Sequence, residues 1–531
     1  MKSILNISLV GLSALALSVV TGGCSDSYMD KINENADNTT DAPAKFLLPD
    51  VLTSTAVHTV GGDMDTYISG YNEYEVGVGN QLWQAQKRIS TSSSTTFGDA
   101  WNESYAALRD AHIVIAKSTA AGDSKTKGIG EVMAAINSAV LTDNFGDIPF
   151  SQAALSYLVG GVPKYTNPKL DTQASVYDSI MNYLDTAIKD FNTGSGTGPG
   201  SYDYVYGGDT GKWMKLAYGL KARYIMRLYN TYSTAEKTSK MQEVLSDIAN
   251  SFTSASEQGA YNVYGTSNWN PYYDFFISRN YFAISPTYMS KLKERNDPRL
   301  NRVSAAFIDQ YLDMAQLTDT TYESGLAPID GGTSDNTGTY NISIYSCAAS
   351  APTFYMSYHE LKFLEAEAYE RLGDNDNAKA ALKTAVVAAI ANTEANITNV
   401  VNSADELGND WGTISMTTPA ITTANAEDYF DNNVAPLFNA NPLKEIISQK
   451  YLGMFGPNGE AVEEYADIRR HKAANEDYFD FGNTKVSYPW ELPYGSSAVT
   501  ANANIVSAFG NGQYVYTNCL WWAGGTGKAG K

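Results

Sequence analysis

Apolar residues return every three or four positions over long stretches of this chain, a period that restricts it to a fold built mainly from packed amphipathic helices. Val176, Ile180, Leu184, Ala187, Ile188 and Phe191 make one such stripe, and Trp213, Leu216, Ala217, Leu220 and Tyr224 make the next. Between them, Asn192 to Gly211 is crowded with Gly, Ser and Thr, which ends one helix and lets the two stripes face each other. The same period predicts helices over 44–59, 65–88, 97–120, 125–145, 355–392, 426–438, 442–454 and 458–471. It is lost over 256–354 and 395–423, where Tyr, Asn, Gly, Pro and Asp dominate and 330–340 reads as turns.

One segment is more specific than the period alone. Ala368-Tyr369, Gly373-Asp374 and then Ala378, Leu382 and Ala385 place small residues where two helices touch and glycine where the chain turns, as in a tetratricopeptide unit. The expected fold is therefore mainly α, a tetratricopeptide-like scaffold of helix pairs over 44–255 and 355–471. Loop-rich inserts at 256–354 and 395–423 would lie together on one face, and 472–531 would form a C-terminal tail. In such a stack the scaffold is structural and ligand contacts fall to the inserts.

The first residues carry a different message. Lys2 opens a short positive region, Ile4 to Val20 is apolar or small, and Thr21-Gly22-Gly23 precedes Cys24, the pattern of an export signal over 1–23. Its placement before a cysteine resembles a bacterial lipoprotein signal, which makes Cys24 the expected lipidated first residue of the mature protein. The polar run 24–43 then reads as a tether. Cys347 and Cys519 are the remaining cysteines, too few for a disulfide scaffold and without C-x-x-C spacing; a bridge between them and two buried thiols are both compatible with the sequence. The formal net charge of −21 excludes a general nucleic-acid binder, which needs a basic surface to displace counterions from phosphate.

Motifs for catalysis are absent. His359-Glu360 begins like a zinc-protease helix, but Phe363 stands where the second histidine belongs. Gly211-Lys212 continues with Trp213 rather than Ser or Thr, so there is no phosphate loop, and no G-x-S-x-G elbow occurs. Gly128-Ile129-Gly130 and 194–200 read as ordinary helix breaks. Asp374-Asn375-Asp376 lacks the glycine and glutamate of a calcium loop, so no cofactor is expected and calcium has no motif to support it. The expected protein is not an enzyme.

Aromatic residues outside the helical stripes are the binding candidates, because a flat ring covers a sugar face or a peptide side chain while nearby polar groups complete hydrogen bonds. Trp269, Asn270, Tyr272 and Tyr273 fall in the irregular middle, where Asn and Pro271 would hold the rings on a loop. Trp83, in Asn80-Gln81-Leu82-Trp83-Gln84, and Trp411, between Asp410 and Gly412, complete the set. Trp101 and Trp213 sit within helical stripes and are expected in the core, whereas Trp490, Trp521 and Trp522 would pin the tail.

A family likeness runs through the mature chain. Leu141-Thr142-Asp143-Asn144-Phe145-Gly146-Asp147-Ile148-Pro149-Phe150 resembles a signature of the SusD/RagB outer-membrane lipoproteins. Lys212 to Leu228, Asn296-Asp297-Pro298-Arg299-Leu300, His359 to Gly373, Tyr465 to Arg470 and Leu492-Pro493-Tyr494 follow in that family's order. The resemblance implies a cell-surface lipoprotein, anchored in the outer membrane, that captures an oligosaccharide and delivers it to a SusC-like TonB-dependent transporter. A peptide ligand with the same transporter role is the alternative, and a surface glycoside hydrolase the further one. Ligand residues vary within the family, so none of the binding candidates above rests on the resemblance.

Overall fold

The computed structural model describes residues 42–87, 97–155, 164–265, 267–279, 281–307, 314–317, 321–329, 339–407, 414–484, 487–509 and 520–525. Apart from Ala42 and Pro43, the described residues all belong to one compact unit that begins at Ala44. Cys24, the export signal and nearly all of the expected tether lie outside the described residues, as do Trp411 and Cys519. No helix among the described residues is long and apolar enough to cross a membrane.

The body is mainly helical. It opens with α1 (Ala44–Ser54), α2 (Asp63–Tyr71), α3 (Asn80–Gln86), α4 (Gly98–Ala121), α5 (Ser124–Phe145), α6 (Gln173–Thr193), α7 (Thr210–Arg227) and α8 (Thr234–Ala249). From α4 to α8 each helix packs on the next, as antiparallel pairs in a solenoid do. The α4–α5 turn shows how local chemistry enforces this: Gly122 takes φ 66°, and the Asp123 carboxylate caps α5 by accepting from Thr126 N at 3.2 Å. Helix α5 is buried along nearly its whole length. Gly128 lies within α5 and is no break: a Cβ there would meet the Phe191 ring of α6 at 2.6 Å, so its glycine permits close packing.

The middle segment is less irregular than its composition predicts. It holds α9 (Pro271–Ser278) and α10 (Pro286–Glu294), and two of its short strands pair with distant ones. Strand β1 (Glu75–Gly77) runs antiparallel to Phe282–Ile284, and Gly259–Tyr261 runs antiparallel to Thr353–Met356. The period predicted one helix over 65–88; instead Glu73, at φ 55°, turns the chain into β1 between α2 and α3.

After the insert come α11 (Tyr358–Arg371) and α12 (Asn375–Leu407), the predicted tetratricopeptide-like pair, with Gly373 at φ 78° in the turn. Helix α11 packs on α8, so the stack resumes across the insert. Helix α12 runs on from the predicted end at Asn392 to Leu407. Buried Ile397 and Val400, together with Asn396 donating to Asn458 Oδ1 at 2.7 Å, override the weak helix propensity of the Thr and Asn residues there. Later helices include α13 (Thr423–Tyr429), α14 (Ala435–Ala440), α15 (Pro442–Gly453) and α16 (Ala461–Ala473).

A web of buried charges ties α5, α7, α11, α15 and α16 together. The Arg223 Nε donates to Glu360 at 2.6 Å, and Arg227 pairs with both Asp143 and Glu463. Arg470 grips Glu367 through two bonds of 2.7 and 2.8 Å, and Asp467 takes Lys450 and Arg470. Burial raises the Glu367 carboxyl, but Arg470, His471 and Arg371 outweigh it and hold the group well below the usual carboxylate range. Most residues of this web come from the segments that carry the family likeness, which therefore build the scaffold. Other signature residues do likewise: Arg299 pairs with Asp297 and donates to Leu452 O at 3.0 Å, and Leu492 N donates to Asn144 O at 2.7 Å. Trp101, Trp213 and Trp522 are buried as expected.

Candidate binding cleft

Pairing of β1 with Phe282–Ile284 brings the start of α3 beside the end of α9. The ladder is extended by Val78 N donating to Tyr281 O at 2.7 Å. Gly79 lets the Tyr281 ring lie against the chain, since a Cβ would meet it at 2.6 Å. Asn80 follows at φ 46°, a conformation most side chains avoid, and opens α3. Helix α9 arrives from the other side with Asn270 as N-cap and Pro271 at its first turn, and ends at Ser278 with Arg279 as its C-cap.

These elements enclose a cleft of about 410 Å³ whose lining includes Tyr67, Asn80, Gln81, Gln84, Arg279 and Tyr281. The Tyr67 hydroxyl donates to Gln81 Oε1 at 2.7 Å, which leaves the Gln81 amide nitrogen as a donor. A second lobe of about 310 Å³ shares Phe275 and Arg279 with the first and is lined by His58, Asp63, Asp99, Glu103 and Asp274. Burial raises the Asp63 carboxyl, an effect that the Arg279 guanidinium opposes. Rings, amides and one cation around a concave surface are the set that holds a polar, ring-shaped ligand. A wider cleft of about 700 Å³ lies against α12, where Ala380, Thr384, Val387, Ala388 and Ala391 give it a small, largely apolar wall, with Tyr358 and His359 as the rings among its described lining residues. Among the described residues no group of three or more His, Cys, Asp or Glu side chains is placed to hold a metal.

The structure sorts the residues singled out from the sequence. Trp83 is half-buried on α3, with Lys87 Nζ 3.7 Å from its ring centroid, and it is not among the described residues that line either lobe. Trp269 is half-buried and meets Tyr273 edge-on at 5.6 Å, while Tyr273 itself is almost wholly buried. Asn270 and Tyr272 are corrected from loop contacts to core residues. Asn270 Oδ1 accepts from Tyr272 N at 2.8 Å and its Nδ2 donates to Ala351 O and Pro457 O, so its side chain is fully committed inside the fold. Tyr272 is buried against Phe282 and the Glu75 carboxyl. The expected loop is a helix because an Asn cap followed by proline is a helix start, a signal present in the sequence. Gln81 and Gln84 were within reach of the Trp83 segment; Tyr67, Phe275 and Arg279 carry no local signal and are joined only by tertiary folding.

The comparisons with known proteins agree with this architecture. A family model described as SusD-like, starch-binding and associating with the outer membrane matches residues 37–472. A crystal structure of a SusD/RagB family protein from Bacteroides thetaiotaomicron is 41% identical with a TM-score of 0.84, covering 92% of this chain and 100% of that one. A chitin-binding protein (19% identity, TM-score 0.65, 90% and 99% covered) and a Bacteroidetes SusD-like protein (20%, 0.69, 91% and 100%) share the fold. No curated protein matches significantly. With a family model spanning most of its length and a close structural relative matched end to end, the chain belongs to the SusD/RagB family of nutrient-binding proteins that associate with the outer membrane.

Proposed function

We propose that this protein captures a saccharide in the cleft between α3 and α9 and passes it to a SusC-like TonB-dependent transporter, held at the cell surface by acyl chains on Cys24. The observation that carries the reading is the lining of the cleft: the half-buried Tyr281 offers a ring for a sugar face, backed by the buried Tyr67 and Phe275, and the exposed Asn80, Gln81 and Gln84 offer amides for hydroxyl groups. A few such contacts, each worth about 0.5–1.5 kcal/mol beyond area burial, give an affinity on the order of micromolar to millimolar, which suits release to a transporter. Calorimetry of residues 25–531 against oligosaccharides and peptides tests it. A saccharide isotherm supports the reading, and a panel in which only peptides bind replaces the ligand class. Acyl chains found on Cys24 by intact mass of the membrane-extracted protein support the anchor, and their absence refutes it.

The second lobe supplies four carboxylates, Asp63, Asp99, Glu103 and Asp274, which is the residue type a glycoside hydrolase needs as an acid and base pair. Binding without turnover is the reading here: incubation with the polymer that binds is expected to yield no new reducing ends.

A further inference from the structure

Arginine behaves the same way almost everywhere in this molecule. Arg109, Arg223, Arg227, Arg295, Arg299 and Arg302 each donate to a carboxylate, as do Arg371 and Arg470, and Arg469 donates to backbone carbonyls. Arg279 is the exception among the described residues. It is exposed, its guanidinium lies 5.1 Å from the Phe275 ring centroid, and it makes neither a hydrogen bond nor an ion pair within 4 Å with any described residue, although it also borders the acidic lobe and acts on Asp63 at longer range. This is the one cation lining the 410 Å³ lobe, and no carboxylate lines that lobe among the described residues. In a chain of net charge −21, acidic partners are abundant, and the adjoining lobe holds four.

We infer that Arg279 receives the carboxylate of an acidic sugar, so that the natural ligand is a uronate-bearing oligosaccharide rather than a neutral one. The inference rests on the saccharide reading proposed above. A guanidinium presents a planar fork of donors that matches a carboxylate in bidentate fashion, and Phe275 beneath it holds that plane in place. The Gln81 amide, oriented by Tyr67, and the Asn80 amide are neutral donors beside it, able to take ring hydroxyls without repelling an anion. The four carboxylates of the second lobe then act by exclusion: they repel a second uronate there and leave room for a neutral or amino-bearing residue at that end.

The test is calorimetry of residues 25–531 with short oligomers of galacturonate, glucuronate-containing hyaluronan and mannuronate, each paired with its methyl-esterified or reduced neutral form, alongside neutral glucans and peptides. The expected result is that at least one acidic oligomer binds roughly ten- to a hundredfold more tightly than its neutral partner. Arg279→Gln is expected to erase that preference, Arg279→Lys to restore part of it, and both to melt with the wild type. Equal affinity for every acid and its neutral form, or binding of neutral glucans alone, would overturn the inference while leaving the saccharide reading in place. Binding of peptides alone would overturn both. An acid preference that survives Arg279→Gln would place the carboxylate elsewhere and also overturn the assignment.

Discussion

The buried charge web and the α3–α9 cleft use the same side chains for opposite ends. In the web every guanidinium meets a carboxylate or a carbonyl of its own chain, whereas in the cleft Arg279 meets none among the described residues. Desolvated charges are tolerated only when matched, so the web's residues are fixed by one another. A binding surface must instead leave donors uncommitted until the ligand arrives. The comparison explains why the signature segments lead into the scaffold and away from the ligand: what they share is the requirement of mutual pairing.

The sharpest way to break the contrast is to remove one partner from each region. Arg227→Ala leaves Asp143 buried without its cation and Glu463 with Arg223 alone, and is expected to cost about 3–5 kcal/mol of stability, read as a lowered urea midpoint. If the cost were below about 1 kcal/mol, the web would be a surface-like ornament and the account of the signature would fail.

Acid is the next lever. Burial raises the Glu476 carboxyl, but hydrogen bonds from Arg371 and His471 outweigh it and bring the group down to about 2. A lowered carboxylate contributes stability that is complete above its unfolded value of 4.5 and lost as pH falls toward the folded value. Glu367 acts in the same direction. Melting temperature is therefore expected to drop steeply between about pH 4.5 and pH 2, with Glu476 alone accounting for up to about 3 kcal/mol, and Glu476→Gln should flatten the drop. Asp65, on α2 behind the cleft, has the opposite sign. Burial pushes its carboxyl up to about 8 although Ala461 N donates to it, so stability should decline as pH rises from about 4 to 8 and Asp65→Asn should reduce that slope.

How far each region was legible in the sequence follows from the same contrast. Stripes such as Val176, Ile180 and Leu184 report local periodicity, and the α11–α12 pair was visible because Gly373 and its flanking small residues are local too. Helix α12 ran past its predicted end because Ile397 and Val400 are held by tertiary packing that Thr and Asn propensities oppose. In the cleft, the amides beside Trp83 are legible because they sit in one short segment with a conspicuous ring, whereas Asn270 and Tyr272 belong to the core because an N-cap followed by proline starts a helix rather than a loop. Arg279 had no signal at all, since being unpaired is a property of the folded neighbourhood.

Smaller effects sharpen the cleft. Gln81→Ala removes an amide donor and the partner of the Tyr67 hydroxyl, and should weaken saccharide binding by about 1 kcal/mol while changing melting little. Lys87→Ala uncovers one face of the Trp83 ring and should shift affinity by less than about 1 kcal/mol in either direction, with calorimetry deciding the sign.

The most direct test of the division between scaffold and cleft is a paired measurement on Gln81→Ala/Arg279→Gln: titration with the saccharide that the wild type binds, and thermal melting of the same sample. The account predicts that binding falls by at least tenfold while the melting temperature stays within about 2 °C of the wild type. Undiminished binding in the double variant would put the ligand elsewhere on the molecule and contradict the assignment of the cleft.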